Sequence, residues 1–130
     1  MLPHIGLEFA PPEVVLAFED AQPCLVRASH DVFSIGALAF AYLAHEGPEQ
    51  GALHVGSEGS GHVFQCARQQ RRYPWEHRRA GAAQAWHASA LSEVFRGCLE
   101  RSASLRPSAS ELLARLDAYM LQQGMSHCRD

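Results

Sequence analysis

Residues 29–44, which read SHDVFSIGALAFAYLA, decide the fold of this chain. Apolar residues fall on every side of a helical wheel drawn for residues 31–44, in which Asp31 and Ser34 are the polar residues of the first turn. A helix that is apolar on all sides has to be surrounded by protein. Ser29 is suited to be its N-cap, and Asp31 matches the positive end of the helix dipole. The stretch therefore predicts a buried central helix.

The segment that follows this helix predicts a loop. Residues 46–61 carry five glycines and show little periodicity, so we expect a flexible loop there. After it, a short apolar group at Val63, Phe64 and Ala67 predicts a brief helix. A basic stretch, ARQQRRYPWEHRR, then leads to the last third of the chain.

Two further helices are predicted in that last third. Apolar residues with the spacing of one helical face predict a helix over residues 89–101. Ser108 and Glu111 form a capping-box pattern that begins the final helix, and Gly124 is a suitable left-handed terminator. No segment alternates like a strand, so the sequence predicts a mostly α fold. The apolar positions are Leu91, Val94, Phe95, Cys98 and Leu99 in the first helix, and Leu112, Leu113, Leu116, Tyr119 and Met120 in the second.

Composition favours one soluble globular unit without a general affinity for anions. The 130 residues are 47% hydrophobic and 19% charged, which is enough for one modest core. A net charge of -3 gives no basic field for nucleic acid or anionic lipid. The start of the chain has no secretory signal pattern, and the longest apolar run, residues 32–44, is shorter than the ~20 residues of a membrane span. We expect a cytoplasmic or nuclear protein with no membrane span.

Metal and nucleic-acid sites are weakly indicated. The histidines never take a ligand spacing such as H-E-x-x-H, and no two cysteines form a C-x-x-C pair, so we expect no metal site and reduced, mostly structural thiols. A basic group with two aromatic residues could touch RNA, but a solvated surface is the favoured interpretation. We expect no nucleic-acid partner. The cysteines are Cys24, Cys66, Cys98 and Cys128, and the basic group is Arg68, Arg71, Arg72, Arg78 and Arg79 with Tyr73 and Trp75.

Three ordered pieces of sequence resemble the second half of the protein kinase domain. Residues 9–14, FAPPEV, are similar to the alanine-proline-glutamate motif that closes the activation segment, with proline where alanine usually stands. Residues 29–36, SHDVFSIG, are similar to S-x-D-V-W-S-x-G of the family's central helix. Residues 98–108, CLERSASLRPS, are similar to C-L-x-x-x-P-x-x-R-P-S before its last helix.

The resemblance implies a fold and an architecture. It implies the helical C-terminal lobe of the kinase fold, incomplete and without the N-lobe sheet, over residues 1–123, with 46–61 as a loop within it and 124–130 as a tail. It also implies that Glu13 pairs with Arg106 as a structural clamp. Breaking one side of such a pair costs ~3 kcal/mol or more.

The resemblance also assigns a role to Asp31. In the family the corresponding aspartate holds the catalytic loop by accepting hydrogen bonds from its backbone. That loop is not found in this sequence, so we expect Asp31 to be short of partners, at about 1–3 kcal/mol per lost buried bond. A simple first-turn charge that favours the helix dipole is compatible with this role.

Catalytic residues are not found in the sequence. Kinases use a glycine-rich loop, a lysine–glutamate pair, a catalytic aspartate and a magnesium-binding aspartate. The chain contains no lysine, no H-R-D-like triplet and no D-F-G. We therefore expect no catalytic residue and no cofactor in this chain, with ATP and magnesium bound by a complete parent kinase.

The substrate-side loop that the resemblance implies consists of Gly6, Leu7 and Glu8. Serine/threonine kinases usually have threonine where Leu7 stands. With leucine at this position, the segment resembles the Scy-like pseudokinases. Two functions follow as alternatives: the C-terminal lobe of a kinase that transfers phosphate from ATP to protein serine or threonine, or a catalytically inactive pseudokinase scaffold. The expected partner is a protein substrate or a scaffold partner, and a fragment without independent function is a third interpretation.

Overall fold

The computed structural model describes residues 8–45, 58–76 and 86–124, and these residues are mostly helical. No strand occurs within these three ranges, which confirms the mostly α prediction. The α-helices are α1 Pro12–Glu19, α2 Ala28–His45, α3 Glu58–Arg68, α4 Ser92–Phe95 and α5 Ala109–Gln122, and the 3₁₀ helices are Pro74–Glu76, Arg96–Leu99 and Ala103–Leu105. Residues 86–88 are also helical.

Helix α2 is the central element, but one of its faces is exposed. Phe33, Ala37 and Phe40 are fully buried in the main core. The prediction that protein surrounds the whole helix is wrong for the opposite face, which is described below. The helix also begins at Ala28, so Ser29 lies inside its first turn and the predicted N-cap is wrong.

An aromatic cluster fills the core beneath α2. The rings of Tyr73 and Trp75 stack with centroids 4.6 Å apart, and Phe40 meets both tryptophan rings edge-on at 5.3 Å. Phe33 packs on Tyr73 at 5.8 Å. Such tilted and offset pairs add about 0.5–1.5 kcal/mol each beyond burial. The two tryptophans that Phe40 contacts are Trp75 and Trp86.

Helix α1 begins at a proline pair and packs on α3. Pro12 occupies the first helical position, where its missing N–H costs nothing. Val15 is fully buried, and α1 contacts α3. Glu13 lies in the first turn, where its negative charge favours the helix dipole.

Helix α3 corrects the predicted loop 46–61. The helix begins at Glu58 and includes Gly59 and Gly61, so the loop does not extend to residue 61; residues 46–57 lie outside the described residues. Val63, Cys66 and Ala67 are buried at helical spacing. Their burial stabilises a helix that continues back through residues of low helix propensity.

The predicted helix 89–101 is broken into shorter pieces. Residues 89–91 form a turn region, α4 covers only four residues, and Arg96–Leu99 is a tighter 3₁₀ helix. This segment packs very closely on α2: a Cβ placed on Gly36 would lie 2.7 Å from Cβ of Cys98. The chain then becomes extended at Glu100, whose carbonyl oxygen accepts a hydrogen bond from Arg106.

The final helix, α5, follows its prediction at both ends. Ser108 accepts a hydrogen bond from the Glu111 N–H, and the Glu111 carboxylate accepts one from the Ser108 N–H, which completes the capping box. Gly124 has a φ of 73°, the left-handed conformation expected after a helix. Leu112 packs with Val94, whereas Leu113 is exposed, so the apolar stripe is narrower than predicted.

Candidate functional site

Arg106 uses all five N–H groups of its guanidinium in hydrogen bonds. Its two Nη atoms donate to the two carboxylate oxygens of Glu13, at 2.6 and 2.8 Å. The remaining three N–H groups donate to backbone carbonyls: Nη1 to Ser29 at 3.2 Å, Nη2 to Arg101 at 3.1 Å and Nε to Glu100 at 2.8 Å. We call this arrangement the Arg106 node.

The environment of the node makes it sensitive to change. The Arg106 side chain is 0% exposed and its guanidinium lies 5.0 Å from the centroid of the Phe33 ring. Glu13 is 32% exposed and also lies 3.6 Å from His30. Burial raises the pKa of Glu13, but the hydrogen bonds from Arg106 outweigh it and hold the pKa below its ordinary value of 4.5. The carboxylate is therefore charged at neutral pH.

The node joins the three pieces of sequence that carry the kinase resemblance. Glu13 belongs to the first piece, Ser29 to the second, and Glu100, Arg101 and Arg106 to the third. The pairing closes a loop of the chain across 93 residues. A planar bidentate contact fixes orientation as well as distance, so the node holds the ends of α1, α2 and the 98–108 segment in one geometry.

Ser34 provides a second link that sequence reasoning missed. Its hydroxyl is 3.0 Å from the carbonyl oxygen of Phe9 and 3.2 Å from that of His30. The contact with Phe9 ties the first piece of sequence directly to α2. The signal in the sequence was a small polar residue in an otherwise apolar helix, a position where a serine hydroxyl commonly bonds the carbonyl four residues earlier.

Asp31 does not occupy the buried position, surrounded by hydrogen-bond donors, that the resemblance implied. Its side chain is exposed, and within the described ranges it has no hydrogen bond or ion pair. An exposed carboxylate is solvated by water, so the expected penalty for lost partners does not arise in this chain. Asp31 remains available to a partner that brings donors to it.

An exposed apolar face runs along α2 from this aspartate. Ile35, Leu38 and Tyr42 are 43%, 52% and 67% exposed, and with Asp31 they have the spacing of one side of a helix. We call these four residues the exposed α2 face. Large apolar side chains grouped on a surface are typical of protein interaction sites.

The predicted substrate-side loop lies mostly outside the described residues. Gly6 and Leu7 are not among them, and Glu8 is exposed in a turn before α1. Of these three residues the structure therefore describes Glu8 alone, and no contact of Glu8 with the Arg106 node is found.

The basic group does not form a surface for stacking bases. Tyr73 and Trp75 are buried in the core, where their rings stack on each other. Arg68 pairs with Glu19 at 2.9 Å. Arg78 and Arg79 lie outside the described residues. Without accessible rings, the group lacks the stacking platform that single-stranded nucleic acid uses.

Two of the three cysteines in the described ranges are buried. Cys66 and Cys98 are buried and Cys24 is exposed, and none of the three forms a disulfide. Burial raises the pKa of Cys98 to about 11 and also raises that of Cys66, so neither is a thiolate nucleophile at neutral pH. Cys128 lies outside the described residues. Within those ranges, no group of three His, Cys, Asp or Glu residues could hold a metal ion.

In the described ranges, no helix has both the length and the apolar character needed to cross a bilayer. Comparisons of the chain with protein-family models, with curated proteins and with solved structures found no match.

Proposed function

We propose that this chain is the helical C-terminal lobe of a protein-kinase-like domain, and that the parent protein transfers phosphate from ATP to serine or threonine of other proteins. The chain's own role is structural: it holds the substrate-side loop and supports the part of the domain that performs the chemistry. The observation that carries this proposal is the Arg106 node, which unites the three resembling pieces through one side chain.

The node supports the proposal because its members were paired from the resemblance alone. Glu13 and Arg106 lie 93 residues apart, and nothing in the local sequence of either predicts the contact. The family's motif implies this pair, and the side chains meet in bidentate geometry. Ser34 adds a second bond between two of the three pieces.

The residues of phosphoryl transfer have to come from elsewhere in the parent protein. The sequence has no lysine. It also has no H-R-D-like triplet and no D-F-G, the motifs that carry the catalytic and the magnesium-binding aspartate of kinases. ATP and magnesium would be bound by that other part. The residues of this chain orient and support, and none of them moves a proton or a phosphoryl group.

A pseudokinase scaffold is the second candidate, and the exposed α2 face favours it. Ile35, Leu38 and Tyr42 form an apolar strip that ends at the exposed carboxylate of Asp31. A protein segment with apolar side chains and N–H donors at one end fits such a strip. Leu7, in place of the usual threonine, favours the same candidate.

Purification of the natural gene product separates the two candidates. An affinity tag at the C-terminus of this chain allows the product to be isolated from its own cells, whatever its length, and incubated with radiolabelled ATP, magnesium and a general protein substrate. Label transfer supports the kinase. No transfer, together with a stoichiometric protein partner that is lost in a Leu38→Glu variant, supports the scaffold. Glu93→Gln, at an exposed position on α4, is the matched control.

A result with neither activity nor a partner would overturn both candidates. Because Leu38 is on the surface, its replacement should leave folding intact. Loss of the partner in the Glu93→Gln variant as well would show that the effect does not belong to the exposed α2 face.

A further inference from the structure

A cavity of about 580 Å³ opens beside the turn that contains Ser102. Its wall includes two cations, Arg96 and Arg101, and two carboxylates, Glu76 and Glu100. Each arginine already has an acidic partner: Arg101 contacts Glu76 at 2.7 Å, and Arg96 contacts the exposed Glu93. The charges of the wall therefore balance, and an added anion would have to compete for an arginine.

Ser102 contributes a hydroxyl group to this wall. It is exposed, and its backbone is extended, with φ of −83° and ψ of 122°, between two short 3₁₀ helices. Its Oγ lies 3.0 Å from Oγ of Ser104, which is also exposed. An exposed, extended segment outside regular helices is accessible to a modifying enzyme, and Arg101, which precedes Ser102 in sequence, contributes a positive charge to the same cavity wall.

We propose that Ser102 is a phosphorylation site whose phosphate competes with Glu76 for Arg101 and so loosens the segment from Arg71 to Glu76. In the reaction, Oγ of Ser102 attacks the γ-phosphorus of a nucleoside triphosphate held by a separate protein kinase. The Oγ–P bond forms, and the bond from the γ-phosphorus to the bridging oxygen breaks. The diphosphate leaves with that electron pair, and the hydroxyl proton passes to a base of the modifying kinase. The proposal is independent of the proposed function, because it uses no catalytic residue of this chain.

Arg101 is the residue through which the phosphate acts. Its side chain is 43% exposed, and its guanidinium donates to both carboxylate oxygens of Glu76 and, at 3.0 Å, to the carbonyl of Arg71. It also lies 4.6 Å from the centroid of the buried Tyr73 ring. A phosphoserine carries about −1.5 to −2 charges at neutral pH, which attracts Arg101 and repels Glu76.

The segment from Arg71 to Glu76 depends on this arginine. Glu76 accepts a hydrogen bond from the N–H of Tyr73 at 2.7 Å, so a displaced Glu76 carboxylate would release that backbone group as well. Arg106 cannot take the place of Arg101, because its five N–H groups are all used within the node. Phosphate at Ser102 therefore weakens the segment.

The experiment has two parts. The purified chain is incubated with ATP, magnesium and a serine kinase that selects arginine-flanked sites, and the modified residue is identified by mass spectrometry. We expect phosphate at Ser102, lost in Ser102→Ala and kept in Ser104→Ala. Hydrogen exchange of the Tyr73 and Glu76 amides should then be about twofold to fivefold faster in the phosphorylated chain, the factor for loss of an exposed ion pair.

A Glu76→Gln variant tests the mechanism. The variant removes the carboxylate that competes for Arg101, so phosphorylation should no longer accelerate exchange in it. Phosphate on Ser104 in place of Ser102, no modification of either residue, or unchanged exchange in the phosphorylated chain would each overturn the proposal.

Discussion

Replacement of Arg106 by alanine should destabilise the chain more than any other single change of a charged side chain. Three carbonyl groups lose their hydrogen-bond donor, at about 1 kcal/mol each. Glu13 loses a bidentate partner, but at 32% exposure water can replace part of the contact, so we add about 1 kcal/mol. The expected loss is about 4 kcal/mol, a large part of the about 5–15 kcal/mol typical of a folded domain.

Urea unfolding followed by circular dichroism at pH 7 measures this loss. With a slope of about 1.5 kcal/mol per molar urea, the midpoint should fall by about 2–3 M. Arg106→Lys keeps the charge but loses the planar fork, so we expect it to recover less than half of the loss. Arg68→Ala is the matched control, because its pair with Glu19 is exposed and should contribute at most about 0.5 kcal/mol. Equal midpoints for Arg106→Ala and Arg68→Ala would refute the reasoning.

The other predictions concern pH, close packing, capping and the exposed aspartate. The folded pKa of Glu13 lies below 4.5, so the difference in unfolding free energy between the wild type and Glu13→Gln should be full at pH 7, shrink below about pH 4.5 and vanish as pH falls through the folded pKa. Urea midpoints measured across pH test this, and a difference that stays constant would contradict it. Gly36→Ala should lower the unfolding free energy by about 2 kcal/mol, because about 3 kcal/mol of strain against Cys98 outweighs the about 1 kcal/mol that alanine gains in helix propensity. An unchanged melting temperature would disprove this. Ser108→Ala should cost about 1 kcal/mol by calorimetry, with Ser108→Asp largely retaining stability; equal losses would argue against the cap. Asp31→Asn should change the unfolding free energy by less than about 0.5 kcal/mol, and a larger loss would show a partner in the folded chain.

Local signals predicted the ends of the last helix well. The capping box needs only Ser108 and Glu111, three residues apart, and the terminating conformation needs only Gly124. Both depend on contacts within one turn, so sequence spacing determines them. The same holds for the absence of strands in the described residues, since no segment has the alternation that strands require.

Tertiary packing decided the features that sequence reasoning got wrong. Residues 58–61 look like a loop by composition, but burial of Val63 and Cys66 against the core extends the helix through them. The 89–101 helix is broken where Cys98 meets Gly36 and where the Glu100 carbonyl turns to Arg106. Neither contact can be read from local periodicity.

The candidate site shows the same division. The pairing of Glu13 with Arg106 followed from the resemblance, whereas the three carbonyl acceptors and the bond from Ser34 to Phe9 depend on how the backbone runs. The apolar composition of α2 indicated burial on all sides, and only the packed structure shows which face is left open.

Determination of the full-length transcript upstream of Met1 tests the central proposal most directly. The account predicts an open reading frame that encodes a kinase-like N-terminal part, with strands and a catalytic-loop region whose backbone donates hydrogen bonds to Asp31. A lysine, a catalytic aspartate and a D-F-G-like triplet in that frame would identify a kinase, and their absence from a kinase-like frame would identify a scaffold. A transcript that begins at Met1, or an upstream frame without kinase-like sequence, would contradict the proposal that this chain is a lobe of such a domain.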